Sequence, residues 1–115
     1  MSTPDTATDA VVHADDTDFE AQLHDPRTVI AYFWAEWCPP CRMLGPVMQQ
    51  LAAEHPETLK VIKINSDLSP RTSAAHQILA VPTLKVFVGT EPVRTIVGAK
   101  PKAALEFELA RYLAR

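Results

Sequence analysis

The chain contains only two cysteines, three residues apart. A domain of 115 residues can bury a core without disulfide staples, so this pair is free for chemistry. Two sulfurs are also only half of a tetrahedral metal set. Without a third cysteine, a zinc or iron-sulfur site would need imidazoles, and His13, His24, His55 and His76 fall on scattered segments. No metal is therefore expected. Lysine and arginine are missing from residues 1–25, which carry seven acidic residues, whereas the remainder carries seven acidic and eleven basic ones. The net charge of −3 is thus a property of the N-terminal quarter, and it gives no reason to expect nucleic acid or a membrane surface as partner. No apolar run approaches the roughly 20 residues of a membrane-spanning helix. The start, M-S-T-P-D-T-A-T-D-A, lacks the cationic residue and apolar stretch of a secretory signal, so a cytoplasmic location is expected. In that reducing compartment a C-x-x-C pair is more often catalytic or metal-binding than structural.

The chain is organised around residues 29–41, V-I-A-Y-F-W-A-E-W-C-P-P-C. Six consecutive apolar or aromatic residues, 29–34, are too few for a membrane span and rich in β-favouring types, which predicts a buried central strand. After the cysteines, Leu44, Val47, Met48, Leu51 and Ala52 recur at helical spacing, so a helix over about 40–55 turns one face to the sheet, with Pro46 kinking it. Met43 and Met48 read as filler on this helix. Cys38 and Cys41 then lie in the first turn of a helix leaving the strand's carboxyl end. Unpaired N–H groups and the helix dipole there favour a thiolate on Cys38, the more exposed of the two, while Cys41, one turn in, is shielded.

Residues 1–10 are small, polar and acidic and read as a flexible tail, leaving 11–115 as the domain. Residues 11–13 suit a short edge strand, and Asp15, Asp16 and Thr17 are N-cap types ahead of a brief helix carrying Phe19 and Leu23. Residues 59–65 alternate, with Ile62 and Ile64 on one face and Leu59, Val61 and Lys63 on the other. Ser69 before Pro70 predicts the capped start of a helix over 71–77. Strands at 83–88 and 93–97, joined through Gly89-Thr90-Glu91-Pro92, form an antiparallel hairpin. A last helix over 101–113 buries Leu105, Leu109, Tyr112 and Leu113. The order βαβαβαββα predicts an α/β domain with a mixed five-stranded sheet and helices on both faces.

The stretch W-A-E-W-C-P-P-C-R, with Val81-Pro82-Thr83 and then Gly98, resembles thioredoxin, whose usual active-site sequence is W-C-G-P-C-K; the similarity covers about 11–113. It implies the thioredoxin fold, a central mixed five-stranded sheet flanked by four helices. It also implies a protein-disulfide reductase in which Cys38 attacks the client disulfide and Cys41 resolves the mixed disulfide, with no bound cofactor. Trp37, Pro39, Pro40, Val81, Pro82 and Gly98 would form the substrate surface, the Val81–Pro82 peptide being cis, and Trp34 would be a buried neighbour. The implied partners are disulfide-containing client proteins and a thioredoxin reductase as electron donor; the sequence leaves the oligomeric state open, with monomer as the default. Two residues depart from the pattern. Pro39 replaces a usual glycine, removing a backbone donor near the Cys38 sulfur, and Tyr32 replaces a usual buried aspartate. Lys63, which normally faces that aspartate, would then reach water or another carboxylate such as Asp67, or lie neutral near the site. A phenol titrates near 10, so Tyr32 either slows the loss of the Cys41 proton or simply fills the space. An oxidant or isomerase uses the same chemistry, and a thioredoxin-fold binding module or holdase chaperone keeps the groove with weak turnover.

Overall fold

The computed structural model describes residues 10–114. The tail expected over 1–10 lies outside them but for Ala10, whose N–H donates to Gln49 Oε1 at 3.0 Å. The elements run β1 (Val12–Ala14), α1 (Phe19–Gln22), β2 (Thr28–Trp34), α2 (Pro39–Glu54), β3 (Leu59–Asn65), α3 (Pro70–Ala75), β4 (Thr83–Val88), β5 (Glu91–Val97) and α4 (Lys102–Leu113). The sheet order is β1-β3-β2-β4-β5. β1 and β2 run parallel to β3, whereas β4 pairs antiparallel with β2, and β5 with β4. The expected mixed five-stranded sheet and four helices are present, with the strand that feeds the cysteines at its centre.

Two cores follow from the period-two alternation along the strands. Ile30, Tyr32, Leu59, Val61, Leu84, Val86 and Ile96 meet α2, through Leu44, Met48, Leu51 and Ala52, and α4, through Leu105, Leu109 and Leu113. On the other face Val29, Ala31, Phe33, Ile62, Ile64 and Phe87 pack with Phe19 and Leu23. β2 can thus be apolar at nearly every position because both its faces are covered. Val47 and Tyr112 are only partly buried, at the edge of the first core. Met43 is 74% exposed, so only Met48 is filler.

Three local expectations change. The hairpin turns at Gly89 and Thr90 alone, both with positive φ (59° and 69°), and β5 begins at Glu91, because an edge strand tolerates Pro92 beside the irregularity at Val86/Phe87. Ser69 is the N-cap of α3 but makes no capping bond; its buried hydroxyl has no partner among the described residues. The cap comes instead from Asp16, whose carboxylate accepts from Arg71 N at 3.1 Å, Thr72 N at 2.8 Å and Thr72 Oγ1 at 2.8 Å. Asp16 therefore ties the β1–α1 loop to α3 rather than starting α1.

Candidate active site

β2 delivers the site. Its last residue, Trp34, accepts at its carbonyl from Ser66 N at 2.8 Å, which fixes the strand end against the loop after β3. The chain then turns, Cys38 N donating to Ala35 O, and enters α2 with Cys38 as N-cap and prolines at the first two helical positions. Proline suits the first turn, where an N–H would have no intrahelical acceptor. Cys38 and Cys41 are joined in a disulfide with 5.3 Å between their Cα atoms. The Cys41 N–H donates to the Cys38 carbonyl at 3.1 Å and to Cys38 Sγ at 3.2 Å, so the backbone of one cysteine serves the sulfur of the other.

The expectation that Cys38 is the more exposed sulfur is not met in this disulfide form. Cys38 and Cys41 are 2% and 1% exposed, because the bond turns both side chains inward against Ala35, Trp34 and Val81. The two differ in their place on the helix rather than in access. The expected loss of a donor at Pro39 also changes. An N-cap side chain takes its bond from the second or third helical residue. Here the second is Pro40, without an N–H, and the third is Cys41, so Pro39 withholds nothing from the sulfur.

Around the disulfide, Pro39 and Pro40 are exposed and Pro82 is buried. The Val81–Pro82 peptide is cis, and Val81 packs on the cysteine cluster. Gly98 donates its N–H to Pro82 O at 2.8 Å. Its φ of 94° requires glycine, while the space where a Cβ would stand is open. Trp37 is 67% exposed yet pinned, its Nε1–H donating to Asp67 Oδ2 at 2.6 Å. The indole separates a groove of about 520 Å³, reaching Leu68, from one of about 250 Å³, reaching Leu79 and Val81.

Beneath the helix, Tyr32 is buried, and its hydroxyl donates to the Cys41 carbonyl at 2.6 Å. Burial pushes its phenol up to about 12, so at neutral pH it is a hydrogen-bond donor and not a base. Lys63 stands beside Tyr32 across the parallel β2–β3 pair, with Nζ 4.5 Å from the Trp34 ring centroid and 5.9 Å from that of Tyr32. Among the described residues no carboxylate lies within ion-pair distance of it, and Asp67 is engaged by Trp37 instead. Two aromatic faces thus take the place of the missing counter-charge. Among the described residues one group of possible metal ligands forms, and it holds a single histidine: His55 lies with Glu54 and Glu106 within 4.8 Å. Lys102 Nζ sits 2.9 Å from Glu54 and 3.5 Å from Glu106, so one ammonium already offsets part of that charge.

Two cysteines at a helix start, next to an exposed indole and a cis X-Pro peptide, form a site for thiol-disulfide exchange. The thioredoxin family model matches residues 10–111. The chain is 48% identical over 92 residues to a thioredoxin of Streptomyces clavuligerus, covering 79% of this chain and 84% of that one. It is 39% identical over 98 residues to a thioredoxin of Alicyclobacillus acidocaldarius, covering 85% and 93%.

The chain belongs to the thioredoxin family.

A further relative, a chloroplastic M-type thioredoxin of Chlamydomonas reinhardtii, is 39% identical over 99 residues, covering 86% of this chain and 71% of that one. Membership makes this chain a thiol-disulfide oxidoreductase, and the Cys38–Cys41 pair is its disulfide. As a thioredoxin it needs disulfide-containing substrates and a reductase-type electron donor. Among the described residues, no helix is long and apolar enough to cross a membrane. Sequence reasoning missed the Asp67 anchor of Trp37 and the Tyr32 bond to Cys41. Neither leaves a signal in spacing, since each joins residues on different elements.

Proposed function

We propose that Cys38 is the attacking thiolate and Cys41 the resolving thiol of a reductase for protein disulfides, working as a monomer in the cytoplasm and recharged by a thioredoxin reductase. The observation that carries this reading is the position of Cys38 as N-cap of α2, with its sulfur already accepting the Cys41 N–H. The same donor and the positive end of the helix would stabilise the sulfur as an anion after reduction. Cys38 Sγ attacks one sulfur of the client disulfide, and the other client sulfur leaves as a thiolate. Cys41 Sγ then attacks Cys38 Sγ, the second client sulfur leaves, and the pair ends as a disulfide while the client has gained two electrons.

The surface offered to the client is apolar and mostly exposed. Leu68 at 74% and Leu79 at 95% exposure flank Trp37. Val81 and Pro82 with Gly98 on one side, and Pro39 and Pro40 on the other, complete the rim. An extended client segment fits such a surface by backbone pairing at Val81 and apolar contact with the indole.

Insulin disulfide reduction coupled to thioredoxin reductase and NADPH tests the reading. Sustained NADPH oxidation that disappears in Cys38→Ser is the expected result, and client capture without turnover would instead favour a holdase. Neutral-pH alkylation of the reduced protein, mapped by mass, should modify Cys38 first; faster modification of Cys41 would reverse the two roles.

A further inference from the structure

Tyr32 is the one side chain of the central strand shown to hydrogen-bond the backbone of the cysteine turn. Its ring is fixed in the α2/α4 core beside Leu44, Met48 and Leu84, so the hydroxyl has little freedom. It reaches the helix beside Gly45, where a Cβ would lie 4.0 Å from the hydroxyl oxygen. The acceptor is the carbonyl of Cys41, which in a regular helix also takes the Gly45 N–H, and a carbonyl has lone pairs for both.

This part of α2 is weakly tied to the rest of the helix. Pro46 has no N–H for the Arg42 carbonyl, so the ladder lacks a rung directly after Cys41. A buried 2.6 Å hydrogen bond from a rigid strand therefore matters more here than in an unbroken helix. We propose that Tyr32 is a positioning residue for the resolving cysteine, its hydroxyl holding the Cys41 peptide in place while the bonds at the two sulfurs exchange.

The proposal rests on Cys41 being the resolving thiol. In that step the Cys41 thiolate forms the Cys38–Cys41 bond, the Cys38–client bond breaks, and the departing client thiolate takes up the proton that Cys41 gave up. An attack within one molecule is fast in proportion to the time the attacking atom spends in line and within reach. Loosening the Cys41 peptide reduces that time. The first attack, by Cys38 on a client in solution, draws on the Cys41 N–H, which belongs to the Pro40–Cys41 peptide and not to the Cys41–Arg42 peptide whose carbonyl Tyr32 holds, so it is affected less.

The experiment follows single turnovers by stopped flow, with a client peptide whose two halves are released in separate optical steps. Tyr32→Phe keeps the ring and removes only the hydroxyl. It should slow release from the mixed disulfide about five-fold, the ratio expected for one net hydrogen bond of about 1 kcal/mol. Attack and Cys38 alkylation should stay within about two-fold of the wild-type rates. Ile30→Val, in the same core and on the same strand, is the packing control: it should lower the melting temperature and leave the ratio of attack to release unchanged. Release within two-fold of wild type in Tyr32→Phe, equal slowing of both steps, or the same selective loss in Ile30→Val would overturn the proposal. Cys41→Ser separates this from the underlying assignment. If Cys41 resolves, the mixed disulfide accumulates in that variant whatever stands at position 32, and if it does not accumulate, the assignment of Cys41 fails.

Discussion

Replacing Pro39 with glycine restores the residue usual at that place in the family and asks what the proline contributes. Two effects could act on the dithiol–disulfide balance. The first is electrostatic, through donors at the Cys38 sulfur, and the geometry removes it: residue 39 is the first helical position, and the sulfur is served by the Cys41 N–H at 3.2 Å in either case. The second is conformational. With the disulfide closed, the turn from Cys38 to Cys41 is held by the bond itself. Opening the bond frees it, and glycine gains more freedom from that than proline does. A proline-type restriction is worth about 0.4–1 kcal/mol, and Pro40 retains part of it in the variant. Since about 30 mV corresponds to about 1.4 kcal/mol for a two-electron couple, Pro39→Gly should raise the reduction potential by about 10–20 mV, making the protein slightly less reducing. Equilibration in glutathione buffers of graded ratio, followed by acid quench and alkylation, reads the oxidised fraction by mass. The Cys38 alkylation rate should stay within about two-fold of wild type, because the donor set is unchanged. A more negative potential in the variant would show that the proline opposes the disulfide, and a shift beyond about 60 mV, some 3 kcal/mol, would show that electrostatics at the helix start dominate.

Two further predictions concern stability. Hydrogen bonds from Arg27, with its charge and the Lys60 ammonium at 3.9 Å adding to them, outweigh burial and hold the Asp25 carboxyl down at about 2. A depressed carboxyl stabilises the fold above its unfolded value and loses that contribution as pH falls towards 2, so Asp25→Asn should cost about 1–2 kcal/mol at pH 7 and almost nothing at pH 2. Thermal unfolding at both pH values decides this; an equal drop in Tm at pH 7 and pH 2 would rule out the ion pair as the cause. Thr90 is a β-branched residue at φ 69° in a two-residue hairpin turn, far from the cysteines in the fold, and Thr90→Gly should stabilise by about 0.5–1 kcal/mol with unchanged insulin reduction. A lower melting temperature in that variant would mean that the turn relies on the Thr90 side chain.

The sequence by itself determined the parts of this protein that depend on local period. A run of apolar residues at 29–34 had to be a strand covered on both sides, and it is, with Ile30 and Tyr32 in one core and Val29, Ala31 and Phe33 in the other. The split of β3 between Leu59 and Val61 on one face and Ile62 and Ile64 on the other was equally legible, as was the buried stripe of α2 from Leu44 to Ala52. The cysteine site was legible for a related reason: C-x-x-C directly after a buried strand places both sulfurs at a helix start before any tertiary contact is considered. Only the tertiary structure decided what depends on which distant groups meet. Asp16 caps a helix 55 residues further on, Asp67 takes the Trp37 indole rather than the Lys63 ammonium, and Lys63 rests on aromatic faces. Tyr32 belongs to both accounts. Its place in the strand made it a buried ring, but only the closeness of α2 to β2 gave its hydroxyl the Cys41 carbonyl, because hydrophobic period fixes the direction of a side chain and packing alone fixes the partner at its tip.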